Sequence, residues 1–80
     1  GTLSEASFTN CNFGEGSGYK FMRPYAKTIL TDCEFSAGFE LDSRHAAITL
    51  KNCKVGGELV TADNVTKLLG ATAGNVTIEN

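Results

Sequence analysis

Glu40, Asp42, Arg44 and His45 lie within one six-residue stretch and form the densest set of chemically capable side chains in the sequence. Two carboxylates beside a guanidinium and an imidazole are a set suited to acid–base work. The same spacing has a plainer use. In a strand, Glu40 and Asp42 are the outward positions alternating with Phe39 and Leu41, and Ser43-Arg44-His45 reads as a turn. Charged side chains are mostly solvated, so a surface flank is the expected role of these four. They remain the candidates for catalysis, and no catalytic residue is assigned.

A second constellation is Tyr19, Phe21 and Tyr25, interleaved with Lys20 and Arg23. Aromatic faces stack on sugar rings, which makes these three the candidates for ligand binding. Basic residues between aromatics also suit single-stranded nucleic acid. The structural role is to cover the side or end of a small core, where aromatic rings supply the most area per residue. Asn64-Val65-Thr66 and Asn75-Val76-Thr77 match the glycosylation triplet. Ser7, Thr9, Thr31, Thr49 and Thr77 fall on outward strand positions. Ile29, Lys51 and Glu79 interrupt them, so no flat ice-binding array results.

The elements that must position these groups come from a repeat. Ala6-Ser7-Phe8-Thr9-Asn10-Cys11-Asn12-Phe13 returns as Thr28-Ile29-Leu30-Thr31-Asp32-Cys33-Glu34-Phe35, then as Ile48-Thr49-Leu50-Lys51-Asn52-Cys53-Lys54-Val55, and in part as Val76-Thr77-Ile78-Glu79-Asn80. Alternation of period two predicts a short strand on either side of the Asx residue. Asn and Asp tolerate left-handed backbone, so Asn10, Asp32, Asn52 and Asn80 read as corners, with side chains bonding in a ladder. Repeats of this kind are the mark of a stacked solenoid, and stacking predicts four inward columns. One holds Ala6, Thr28, Ile48 and Val76; the next holds Phe8, Leu30, Leu50 and Ile78. Beyond the corner come Cys11, Cys33 and Cys53, then Phe13, Phe35 and Val55.

The three cysteines share one slot, which predicts a column of buried, unreactive thiols, with one disulfide between neighbouring rungs as the alternative. Their spacings of 22 and 20 do not resemble a metal-binding pair, so no metal and no cofactor are expected. Three segments close the repeats. Residues 14–27 carry Tyr19, Phe21 and Tyr25 as a further strand or a folded loop. Residues 36–47 turn Phe39 and Leu41 inward. Residues 56–75 are the longest, with Leu59 in the role of Phe39. Thr61 or Asp63 is expected to cap a short helix there, ending at Gly70 with Val65, Leu68 and Leu69 on its apolar side.

Eighty residues make one module at most, with a marginal core. A net charge of -2 argues against a nucleic-acid surface or a polybasic membrane patch, and no apolar run approaches membrane-spanning length. The expectation is therefore no nucleic-acid partner and no membrane partner.

The repeats resemble those of the right-handed parallel β-helix, the pectate-lyase-like superfamily, on the strength of the Asx corners between short apolar strands at spacings of 22, 20 and 28. The resemblance covers nearly the whole chain. It implies an all-β fold, a short right-handed parallel β-helix of about 3–4 rungs. It also implies that residues 1–80 are a single module, a fragment of a longer β-helix protein. In that superfamily an acid pair near an arginine serves lyases and hydrolases through calcium binding and proton abstraction. No catalytic motif matches residue by residue, and none is carried over. Ala6 to Glu15 also resembles two pentapeptide repeats, a register that fails after Glu15.

The expected function is a non-catalytic structural or carbohydrate-binding β-helix module of a secreted or cell-surface protein, with a polysaccharide as partner. The alternatives are a fragment of a polysaccharide lyase or glycoside hydrolase, and an interaction module of pentapeptide type. Open solenoid ends further predict end-to-end association, most simply a two-fold dimer, or neighbouring rungs lost by truncation.

Overall fold

The computed structural model describes residues 5–14, 20–70 and 75–80. Within them the chain is mostly strand, arranged as β1 (Glu5–Thr9), β2 (Asn12–Phe13), β3 (Phe21–Met22), β4 (Lys27–Thr31), β5 (Glu34–Phe35), β6 (Glu40–Leu41), β7 (Ile48–Lys51), β8 (Lys54–Val55), β9 (Glu58–Leu59), a short helix α1 (Val65–Leu69) and β10 (Val76–Ile78). Three sheets result, in the orders β1-β4-β7-β10, β2-β5-β8-β9 and β3-β6. Every pairing is parallel except β8 with β9.

The register joins equivalent positions of successive repeats. Ala6 pairs with Thr28, Thr28 with Ile48 and Ile48 with Val76; Phe8, Leu30, Leu50 and Ile78 form the parallel row. Phe13 pairs with Phe35, and Phe35 with Val55. Like residues therefore meet on one face, because side chains on a strand alternate with period two. Leu30, Phe35, Phe39, Leu41, Ile48, Leu50, Cys53 and Val55 are buried in one core. Thr28 is the polar member of its column, and its hydroxyl is satisfied by donating to the Ala26 carbonyl at 2.8 Å.

Three of the four expected corners are left-handed residues, and Asn80 is not among them. Asn10, Asp32 and Asn52 have φ of 56°, 53° and 56°. Asn and Asp accept this conformation at less cost than other residues with a Cβ, which is why the slot holds only these two types. The ladder through the corners runs mainly along the main chain. The Asn10 amide donates to the Thr31 carbonyl at 3.0 Å, and the Asp32 amide to the Lys51 carbonyl at 2.8 Å. Only the last step uses a side chain, with the Asn52 amide donating to Asn80 Oδ1 at 2.9 Å. Asn80 Nδ2 donates onward to the Val60 carbonyl at 2.8 Å, so one carboxamide ties the final corner to the segment after β9.

All three cysteines are free. Cys33 and Cys53 are buried, and their thiols donate to the carbonyls of Phe8 (3.5 Å) and Leu30 (3.2 Å) one repeat back. Burial pushes both thiols above their ordinary pKa. Cys11 departs from expectation and is only half-buried. It belongs to the first repeat, which has a described neighbour on one side only.

Several expectations for the closing segments are corrected. Leu59 does not take the part of Phe39: it is 40% exposed, and Val60 is the buried residue. Gly56 and Gly57, at φ of 55° and 88°, reverse the chain in two residues, the turn that suits a tight hairpin. β9 therefore runs back along β8 and sets Leu59 opposite the outward Lys54. Met22 pairs with the buried Leu41, which leaves Phe21 on the outer face beside Glu40. Asn64, rather than Thr61 or Asp63, stands at the N-cap of the helix, and it makes no side-chain cap bond. Its Oδ1 accepts from the Thr61 amide at 2.7 Å and its Nδ2 donates to the Leu59 carbonyl at 3.0 Å. The helix ends as expected at Gly70, with φ of 64°.

Candidate functional site

Arg23 and Asp42 come together at the ends of β3 and β6. These strands lie side by side, and the Asp42 amide donates to the Met22 carbonyl at 2.8 Å. Beyond β6 the chain turns sharply. Asp42 Oδ1 accepts from the Arg44 amide at 3.1 Å, the self-bonding turn that Asp favours. The Arg44 side chain then folds back on the same carboxylate, with Nε donating to Oδ1 at 3.0 Å and Nη2 to Oδ2 at 2.9 Å. Arg23 Nε donates to Oδ2 from the neighbouring strand at 2.9 Å. Its guanidinium also lies over the Phe21 ring, 5.1 Å from the centroid.

This arrangement decides what Asp42 can do. Its side chain is 7% exposed, whereas the two arginines are 42% and 64% exposed. Hydrogen bonds from the Arg44 side chain first, then from the Arg44 amide and from Arg23, hold the carboxyl well below the usual carboxylate range. Asp42 is thus a poor proton acceptor near neutral pH and serves as the anchor for two cations. Tyr25 first and Asp42 second hold Arg23 protonated.

Because the Asp42 pKa is depressed in the folded chain, its contribution to stability is complete above the unfolded value of about 3.9. It is lost as pH falls from there toward the lower folded value. The unfolding midpoint in urea should therefore fall more steeply on acidification below about pH 5 in the wild type than in Asp42→Asn. Added salt should shrink the difference, since both arginines are partly solvated.

Tyr25 and His45 stack at 4.7 Å between centroids with an interplanar angle of 28°. Tyr25 is nevertheless 69% exposed, so its ring is held in orientation while staying open to solvent. Phe21, Arg23, Glu40, Asp42, Arg44 and Gly70 line an adjoining groove of about 320 Å³. Four of the expected residues, Glu40, Asp42, Arg44 and His45, thus do lie together with Phe21 and Tyr25. Glu40 projects outward from β6 beside Phe21. Tyr19 lies outside the described residues.

Sequence reasoning missed that Arg23 reaches Asp42 and that Tyr25 covers His45. A partial signal was present for the second alone, because the repeats at Thr28 and Ile48 are 20 residues apart, the offset of Tyr25 from His45. The two glycosylation triplets are occupied by structure. Asn64 is held as described above, and Asn75 Nδ2 donates to the Ser43 carbonyl at 2.7 Å.

A second concavity, of about 370 Å³, follows the corner row and is lined by Asn10, Asn12, Asp32, Cys33, Glu34, Asn52 and Lys54. It is polar and holds no aromatic ring. Among the described residues no group of three or more His, Cys, Asp and Glu side chains is placed to hold a metal ion, and no helix is long and apolar enough to cross a membrane. Comparison of the chain with protein-family models, with curated proteins and with solved structures gives no match.

Proposed function

We propose that this chain is a short right-handed parallel β-helix module of a secreted or cell-surface protein, and that it binds carbohydrate at the corner formed by Tyr25 and His45 without catalysing a reaction on it. The β-helix reading is supported by parallel, in-register pairing of the same repeat position through four repeats. The surface location follows from the repeat resemblance. The observation that carries the binding reading is the Tyr25 ring, exposed yet fixed against His45. A sugar ring meeting it loses little side-chain entropy on binding, because the platform is already ordered. Arg23 and Arg44 rim the same corner and offer further hydrogen-bond donors to hydroxyls. The non-catalytic reading is supported by Asp42, whose oxygens are engaged by two arginines.

Titration with a panel of oligosaccharides, followed by amide chemical shifts, tests the proposal. Saturable shifts should centre on residues 21–25 and 42–45. Tyr25→Ala should weaken binding at least tenfold, the loss of about 1.4 kcal/mol or more expected for removing a stacking ring. Its unfolding midpoint should stay near that of the wild type, because the ring lies outside the core. Shifts centred on the Asn10, Asp32 and Asn52 groove, or none with any sugar, would refute it.

A further inference from the structure

The charges around the outer corner cancel. Among the described residues, the groove beside the Tyr25–His45 stack is lined by two cations, Arg23 and Arg44, and two anions, Glu40 and Asp42. Lys20 does not line it, and its ammonium donates to the Ala37 carbonyl at 3.3 Å. Residues 71–74, which follow Gly70, carry no charged side chain. The two carboxylates differ in access. Asp42 lies nearly closed off beneath the arginines. Glu40 is exposed, and its side chain leans toward Gly70, where an added Cβ would meet Glu40 Cγ at 4.0 Å.

Each guanidinium carries five N–H donors. Asp42 accepts one from the Arg23 side chain and two from that of Arg44, so both keep donors for another group. Glu40 brings acceptor oxygens into the same groove. A hydroxyl is donor and acceptor at once and can use both kinds of partner. A carboxylate or sulfate only accepts, so it would meet the arginines while facing Glu40. An ammonium only donates, and it would face two guanidiniums. A balanced set of charges also gives no long-range pull on an anion.

We infer that the carbohydrate bound at this corner is a neutral sugar, with its ring on Tyr25 and its hydroxyls between the arginines and Glu40, and that Glu40 is the residue that disfavours acidic sugars. This selectivity rests on the carbohydrate reading above and adds to it the class of sugar.

Matched pairs of hexasaccharides, one neutral and one a uronate of the same linkage, test the selectivity through amide shifts of residues 21–25 and 40–45. The pairs are cellohexaose with hexaglucuronate, mannohexaose with hexamannuronate, and methyl-esterified hexagalacturonate with its free acid. In any pair that binds, the neutral member should bind tighter by about 2–5-fold at low salt, the range of one exposed charge interaction. Its affinity should not change as sodium chloride is raised. Glu40→Gln keeps the shape of the side chain and one acceptor while removing the charge. It should bring the uronate level with its neutral partner or ahead of it, with the neutral affinity within about twofold of wild type. Its melting curve should match the wild type, because Glu40 is exposed. If the variant does not fold, the wild-type pairs decide alone. A uronate that binds the wild type as tightly as its neutral partner or tighter, or a preference unchanged in folded Glu40→Gln, would overturn the selectivity while leaving sugar binding at this corner in place. Binding of neither member in all three pairs would overturn both.

Discussion

Phe35→Ala is expected to destabilise the fold by about 3–5 kcal/mol, the cost of truncating a buried phenylalanine. Phe35 is 1% exposed. Its ring stacks on Phe13 at 5.1 Å and meets Phe39 at 5.0 Å, and Val55 is its register partner on the other side. The space left by alanine cannot easily close. The strand is pinned on both sides, by the Ser36 amide donating to Phe13 at 3.0 Å and the Gly56 amide donating to Phe35 at 2.9 Å. A chain of this length has a total stability of about 4–12 kcal/mol. The variant should therefore be largely unfolded at temperatures where the wild type is folded. Phe13→Ala is the control: the same ring is removed from a half-buried position, so the loss should be clearly smaller. Urea unfolding followed by far-ultraviolet circular dichroism measures both. Equal losses would contradict the stacking order.

Leu50→Ala should cost about 2–5 kcal/mol. Leu50 is fully buried, with Leu30 on one side and Ile78 on the other. Strand β7 hydrogen-bonds to β4 and β10, so its backbone cannot shift to fill the cavity. Thr49 points the other way, and Thr49→Ala should stay within about 0.5 kcal/mol of wild type. This contrast tests the register itself, because a slip of one residue would exchange the two side chains. A loss below about 0.5 kcal/mol for Leu50→Ala, in the same urea assay, would rule out the columns described here.

The pH dependence of Asp42 and the stability of the columns rest on different parts of the molecule. The columns lie in the core, and Asp42 sits at an outer corner where solvent reaches both of its partners. Acidification should therefore lower stability without changing which residues are most sensitive to truncation.

The columns were legible in the sequence because two signals coincide in each repeat. Apolar residues alternate along Ala6 to Phe8, Ile48 to Leu50 and Val76 to Ile78, Thr28 to Leu30 aligns with them, and the residue that ends each run is Asn or Asp. Period-two alternation sets which side chains face the core, and the Asx sets where the left-handed bend falls, so both can be read locally. Phe39 and Leu41 followed from the same alternation. The Gly56-Gly57 hairpin also had a local signal, but the length of its segment gave no indication that the strand would return along β8 and expose Leu59.

The outer corner needed the tertiary structure. Asp42 with Arg44 is a local turn, yet its third partner, Arg23, is 19 residues away and arrives only because β3 and β6 pair in parallel. The Tyr25–His45 stack depends likewise on the step between repeats, and that step is set by loops whose sequences carry no repeat. Asn80 is the clearest case. From the sequence it is one more corner residue. In the fold its carboxamide bonds Asn52 and Val60 at once. A carboxamide's donor and acceptor are equally available in any environment, so their partners are chosen by what the folded backbone leaves unpaired within reach. Sequence alone thus determined which faces are buried and where the chain bends, since both follow from the chemistry of neighbouring residues. The folded chain decided which polar groups meet, because it brings together groups separated by one or more whole repeats.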